Sequence, residues 1–302
     1  MKKLIIIFAF LLIPCKESWS AFSSGDRGTS AAQFLKLGAG ARPAAMGDAF
    51  TATTLGSESV YWNPAGLNYE SKGSVSMMHG FWFEDIAYDW ISGAVRLSPV
   101  SVAGLGIQRL SYGDIKGTDI SGVETGNFSP SDMAISFSYA HDLGMLMAGG
   151  TFKYISSRID AKATAMAVDA GVVKSWDNIK AGLAVKNAGT KMKFADEKEP
   201  LPLAIKFGGS MGLSEKLLAC TDLTLQRDNA PTLGLGGEYS VKAGNSTVAA
   251  RAGYNTITKD IEGFKGFSFG LGWNFNNFAI DYAFVPFGEI GSTHRLSLAF
   301  KW

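Results

Sequence analysis

Across residues 74–302, apolar and polar positions alternate with a period of two, in short runs separated by Gly, Pro, Asn, Asp and Ser. Met133, Ile135, Phe137 and Tyr139 alternate with Asp132, Ala134, Ser136 and Ser138. Phe267, Phe269, Leu271, Trp273 and Phe275 alternate with Gly266, Ser268, Gly270, Gly272 and Asn274. Phe278, Ile280, Tyr282 and Phe284 oppose Ala279, Asp281 and Ala283, and Leu296, Leu298, Phe300 and Trp302 oppose Arg295, Ser297, Ala299 and Lys301. A period of two marks a strand with two different faces. Here one face is large and apolar, the other small or polar. The runs approach the ~9–11 residues with which a tilted strand crosses a bilayer.

Predicted strands begin near residues 74, 87, 99, 130, 143, 164, 178, 201, 215, 231, 245, 264, 277 and 292, about fourteen in all. Bacterial single-chain barrels carry an even number of strands. The connections alternate in length. Short turns fall at Leu97-Ser98-Pro99, His141-Asp142, Trp176-Asp177-Asn178, Leu213-Ser214 and Asn276-Asn277. Long ones fall at Gly113–Ser129, Ala188–Pro200 and Asn255–Gly263, although the connection at Ala161–Ala163, on the same side, is short. Outer-membrane barrels have short periplasmic turns and longer outer loops, which puts both chain ends on the periplasmic side. A soluble sandwich also alternates, so the weaker face decides. That face is rich in Gly, Ala and Ser rather than Lys and Glu, as suits a lumen closely approached by other chain. The predicted fold is all-β, a transmembrane antiparallel barrel.

Phe34–Leu67 breaks the pattern with a run of Gly, Ala, Ser and Thr that ends in a Trp-Asn-Pro-Ala-Gly turn. Pro43 suits the first turn of a short helix, continued by Ala44, Ala45, Met46, Ala49 and Phe50, with Asp48 near its positive end. The Gly38–Ala41 run lacks the third glycine and the preceding strand of a dinucleotide site, and reads as a tight turn or close packing. Asn63-Pro64-Ala65-Gly66 is a turn by local chemistry. A small-residue segment ahead of a strand series predicts a plug and the barrel around it.

The runs GAGARPAAMGDAFTA and YWNPAGL, with the closing DYAFVPFGEIGSTHRLSLAFKW, resemble the PorV/PorQ outer-membrane proteins, relatives of the FadL long-chain fatty-acid channel. The resemblance spans nearly the whole mature chain. It implies a plug at 21–73, a FadL-like barrel at 74–302, and an Asn-Pro-Ala-Gly motif at their junction. The plug residues concerned are Gly38, Gly40, Arg42, Pro43, Met46, Gly47 and Asp48, with Asn63, Pro64, Ala65 and Gly66 in the motif. Phe300 and Trp302 resemble the terminal aromatic signal read by the barrel assembly machinery, and an aromatic belt also explains Trp302.

Composition narrows the rest. The chain has 302 residues, 18% charged, with 36 Gly and a mean hydropathy of +0.09. No run beyond the amino terminus approaches the ~18 apolar residues of a membrane helix, whereas a barrel hides its hydrophobicity by alternation. Residues 1–20 read as a cleaved signal peptide: Lys2 and Lys3, an apolar core over Leu4–Pro14, and Ser18-Trp19-Ser20 before Ala21. Cys15 follows Pro14 and fits lipoprotein processing poorly. Removing residues 1–20 takes away Lys2, Lys3, Lys16 and Glu17, so 28 basic and 27 acidic residues become 25 and 26, a net charge of −1. That balance argues against nucleic acid. Cys220 alone remains, so no intramolecular disulfide forms.

His79, His141 and His294 show no metal-ligand spacing, and no serine stands in a nucleophile elbow. The expected protein is no enzyme and needs no cofactor or metal. Arg42, Asp48, Asp281, Arg295 and Lys301 are inward-facing charges expected to pin the plug, since ionisable groups at membrane depth face the interior and find partners. The resemblance implies an outer-membrane component of type IX secretion that binds cargo proteins and passes them to a surface attachment complex. The loops at 113–129 and 188–200 would then hold protein. The alternative is a FadL-like passive channel for long-chain fatty acids or other hydrophobic compounds. A lipophilic ligand would meet Phe34, Leu35, Leu37, Met46, Phe50, Tyr61 and Trp62 near the plug. FadL-like transport chains are longer, with larger outer excursions, and this chain departs from them there.

Overall fold

The computed structural model describes residues 25, 27–159, 162–194, 197–259 and 261–302. The expected signal peptide and Cys15 lie outside the described residues. Chain order runs β1 (Gly73–Phe81), β2 (Ala87–Ser98) and β3 (Ser101–Ser111), then β4 (Ile115–Thr118) and β5 (Glu124–Phe128) as a separate hairpin. The wall resumes with β6 (Ser131–Asp142), β7 (Met147–Arg158), β8 (Lys162–Trp176) and β9 (Ile179–Gly189). A second small hairpin, β10 (Met192–Phe194) and β11 (Glu197–Glu199), precedes β12 (Ala204–Gly212) and β13 (Leu217–Gln226). The wall ends with β14 (Asn229–Ala243), β15 (Ser246–Asn255), β16 (Phe267–Phe275), β17 (Phe278–Pro286) and β18 (Ser292–Lys301).

Leaving aside the two loop hairpins, these strands form one closed antiparallel barrel of 14 strands. β1 pairs with β2 on one side and with β18 on the other, in a register from Ser74↔Lys301 to Phe81↔His294. Closure leaves no unpaired edge, which a wall in lipid requires because nothing there hydrogen-bonds a free strand. Predicted and observed strand starts agree closely, the widest gap being 143 against Met147. One end of the barrel carries the short turns 99–100, 143–146, 177–178, 213–216, 244–245 and 276–277, together with Gly73 and Trp302. The other end carries the connections 112–130, 190–203 and 256–266, although 227–228 is short there too. We call them the turn end and the loop end.

Alternation turns the large residues outward. On β6, Phe137 is 56% exposed while its neighbours Ser136 and Ser138 are buried. Met77, Ile91, Leu105, Phe152, Leu271 and Leu298 continue the same apolar outer band. The inward face meets the segment before β1. That segment folds into two short α-helices, α1 (Ala41–Ala45) and α2 (Ser59–Trp62), and 3₁₀ turns at Gln33–Lys36, Gly56–Glu58 and Pro64–Tyr69. Phe34, Leu35, Phe50, Val60, Tyr61, Trp62 and Leu67 form one buried cluster with Tyr88, Trp90, Val102 and Ile155 of the wall.

The predicted helix is shorter than expected. It stops at Ala45 because Gly47 and Asp48 adopt left-handed backbone, with φ of +63° and +57°. Met46–Phe50 is therefore a turn, with Asp48 N–H donating to Pro43 O at 3.0 Å. Asp48 lies past the C-terminal end of α1, not at its positive end.

Candidate functional site

The small inward face exists because the plug's backbone lies against the wall. A Cβ on Gly149 would stand 2.6 Å from the Pro64 carbonyl carbon, one on Gly182 2.7 Å from Thr51 O, and one on Gly236 2.6 Å from Met46 O. From the plug side, Gly47 sits at positive φ where a Cβ would meet Leu235 O and Tyr254 O, each at 2.6 Å. Van der Waals contact at this range leaves no bore between plug and wall at those heights.

Asn63 is the polar counterpart of that contact. Its amide donates to Thr51 O at 3.0 Å within the plug and to Val172 O of β8 at 3.2 Å. Its Oδ1 accepts from Ala65 N–H at 3.2 Å, so it caps the 3₁₀ turn that Pro64 opens. Pro64, Ala65 and Gly66 are buried, and a Cβ on Gly66 would meet Ser59 Oγ at 2.8 Å. Gly38 O accepts from Arg295 Nη1 at 2.7 Å, and Gly40 N–H points to Met78 Sδ at 3.1 Å. Met46 is buried against Ala49 and Cys220, and Pro43 within α1. The two motifs, read in sequence as turns or close packing, thus lie against the wall and against each other's segment.

The charges at the turn end form a chain. Arg42 donates to Glu238 through Nε at 2.8 Å and Nη2 at 2.9 Å. Arg251 donates to Glu238 at 2.5 Å and to Asp281 at 2.6 Å. Arg42 and Asp281 were expected to face the lumen. Glu238 and Arg251 were not singled out, although both sit on the small-residue face of alternating strands, directly opposite each other in register. Arg295 binds main chain rather than Asp48, and Lys301 lies exposed at the barrel's end. Glu58 stands beside this chain. Burial, reinforced by Asp281 and opposed by Arg42, pushes its carboxyl up to about 7. Higher up, Lys153 pairs with Asp169 at 2.6 Å and Lys206 with Asp222 at 3.3 Å, both pairs buried. Asp222 also accepts from Thr51 N–H at 3.1 Å, tying that pair to the plug.

Toward the loop end the contact opens into a cavity open to solvent, floored by Tyr61 and Trp62 and walled by Lys36, Lys186, Lys206 and Gln226 among others. Lys186 is 4% exposed, with its ammonium 3.4 Å from the Tyr61 ring centroid. Lys206 holds its ammonium 4.5 Å from the Trp62 ring. A second, smaller cavity lies beside Ala44, Gly47, Asp48 and Arg295. Of the apolar residues expected to meet a lipophilic ligand, Leu35, Tyr61 and Trp62 border the first cavity, while Phe34 and Phe50 are spent in the core. Among the described residues, no group of three His, Cys, Asp or Glu side chains is placed to hold a metal ion.

At the turn end, Phe300 lies 4.9 Å from Phe278 and 6.1 Å from Trp302, ring to ring. Trp302 N–H donates to Gly73 O at 3.1 Å, closing the seam. The predicted terminal signal is therefore part of an aromatic cluster on the outer rim.

Residues 23–216 match the family described as "Type IX secretion system protein PorV". No curated protein matches the sequence. Among solved structures, the Pseudomonas putida toluene transporter TodX is similar, with a TM-score of 0.59 and 12% identity, over 87% of this chain and 96% of that one. The Ralstonia pickettii toluene transporter TbuX has a TM-score of 0.59 and 14% identity, over 88% and 98%. A Pseudomonas aeruginosa FadL homologue has a TM-score of 0.57 and 11% identity, over 86% and 98%. At these identities the likeness is one of fold, and a barrel of this type implies an outer-membrane location.

Proposed function

This chain belongs to the PorV family, and we propose that it is a non-enzymatic outer-membrane component of type IX protein secretion. It binds cargo proteins at the loop end and passes them to a surface attachment complex. One observation carries this reading beyond the family match. The plug meets the wall backbone to backbone, as at Gly47 against Leu235 O and Tyr254 O, so the working surface is the loop end rather than the bore. The exposed hairpin β4–β5 gives that end its reach, while the connection 190–203 is tied back to the core through Met192 and Leu201. The short strand pairing of β4 with β5 shapes that loop and leaves it exposed, as holding a protein segment requires. The predicted plug and barrel units, 21–73 and 74–302, take distinct roles here, anchor and scaffold.

The second reading is a passive channel for hydrophobic compounds, favoured by the shared fold of the toluene transporters. It requires an apolar pocket beside the plug and a plug that shifts. The polar walls of the loop-end cavity weigh against it. Trimming 188–200 should abolish cargo display while leaving uptake of a hydrophobic probe unchanged. Bulky substitution at Ala44, Ala45 or Gly66 should alter uptake only if the channel reading holds. Intact display after the loop is trimmed, with lost uptake in the plug variants, would replace the first reading by the second.

A further inference from the structure

At the turn end Arg42, Glu238, Arg251 and Asp281 are paired with one another, whereas the loop-end cavity is bordered by a cation with no such partner. Lys186 on β9 is 4% exposed, and its ammonium has neither an ion-pair nor a hydrogen-bond partner among the described residues; the Tyr61 and Trp62 rings face it, at 3.4 Å and 5.8 Å. An aromatic face offsets only part of the cost of burying a cation without a counter-charge. The neighbouring ammoniums do not share this condition. Lys36 pairs with Asp228 at 2.6 Å and Lys206 with Asp222 at 3.3 Å.

The same cavity leaves two acceptors unanswered. Asp48 Oδ1 and Gln226 Oε1 are buried without a hydrogen-bond donor, and both residues line it beside Lys186. The walls therefore present one free cation and two free acceptors. The complement is a small group with one negative charge and an N–H or O–H donor close to it. A dianion fits badly, because its second charge would face Asp48 and Asp222. A purely apolar ligand fits worse, since it leaves all three groups unpaired. The floor is fixed in advance: Tyr61 Oη donates to Leu35 O at 3.1 Å and Trp62 Nε1 to Ala39 O at 2.7 Å.

We propose that the loop-end cavity is a binding site for a carboxylate with a neighbouring hydrogen-bond donor, anchored by Lys186 and received by Asp48 and Gln226. Two sources share that chemistry. One is a free amino or hydroxy acid; the other is the carboxyl-terminal residue of a polypeptide, whose own amide N–H is the donor. The site stands on the cavity alone, independently of the secretion role.

Calorimetric titration of the full-length barrel in detergent tests it, with glycine, L-lactate and a short Gly-Ser peptide carrying either a free or an amidated carboxyl terminus as probes. At least one free-carboxylate probe should saturate. Lys186→Met should weaken it about tenfold or more, while Lys186→Arg retains it. Binding of glycine or lactate assigns the small-acid source; binding of the free-ended peptide alone assigns the polypeptide end. Heat-modifiable gel mobility reports whether each variant folds, and Gln226→Leu, expected to weaken binding several-fold, serves if Lys186→Met does not fold. Amidated peptide binding as tightly as free peptide overturns the site. So does undiminished binding by the folded variant, or saturation by none of the probes.

Discussion

The two ends of the bore use the same side chains and settle them differently. At the turn end, Arg42, Glu238, Arg251 and Asp281 are linked at 2.5–2.9 Å, so each carboxylate meets a guanidinium. At the loop end, Lys186 is as deeply buried as Arg251, 4% against 6% exposed, yet its ammonium stands over the Tyr61 ring with no ion-pair or hydrogen-bond partner among the described residues. Burial alone therefore does not distinguish anchoring from binding; partnership does. Paired groups such as Arg42 and Glu238 hold the plug, and a group left without a partner is free to take something from outside.

Four changes sharpen that contrast. The largest effect belongs to the glycine contact that underlies both ends. In Gly253→Val the new Cβ would lie 2.5 Å from the Met46 carbonyl carbon, in a place backbone occupies. More than ~4 kcal/mol of destabilisation is expected, read as loss of the heat-stable barrel band. Next comes Arg251→Met, which removes the guanidinium between Glu238 and Asp281. Leaving the Asp281 carboxylate uncompensated, while Glu238 keeps Arg42, costs about 3–5 kcal/mol, measured by thermal melting in detergent.

Glu58 gives a pH signature of the turn end. Its folded carboxyl titrates at about 7, above its ordinary value. The unfolded chain thus gives up this proton first. Stability from Glu58 is full below the ordinary carboxyl range and is lost as pH rises toward and through 7. Glu58→Gln should flatten the melting temperature across that window, and an unchanged slope would show that another group sets it. The smallest effect is expected from Lys186→Met, which trades an unpaired ammonium for a similar apolar volume. Stability should change by less than ~1.5 kcal/mol, in contrast to Arg251→Met. A loss as large as that of Arg251→Met would show that the two ends are built alike.

The wall was legible because period two is local. Phe137 beside Ser136 already separates lipid from lumen, and the strand count follows from the turns. The plug was legible from the same face, since Gly, Ala and Ser there predict close approach, which Gly149 against Pro64 shows. Pairing was not. Glu238 meets Arg251 only because β14 and β15 take one register, and Arg42 reaches Glu238 across the bore. The length of α1 was also out of reach, because Gly47 turns left-handed where two wall carbonyls leave no room for a side chain. The loop-end cavity escaped for the same reason as the pairing: Lys186, Asp48 and Gln226 are brought together by closure of the barrel around the plug.

The central claim is that the plug is a fixed anchor and the loop end does the work. Ser57 Oγ of the plug lies 3.1 Å from Ser76 Oγ of β1, so Ser57→Cys with Ser76→Cys places two thiols to lock plug to wall. The measurement is cargo display on cells carrying the locked barrel, with and without reductant. Display at the level of the unmodified protein in both conditions is predicted. Display lost on locking and restored by reduction would mean that the plug must move, and would contradict the account.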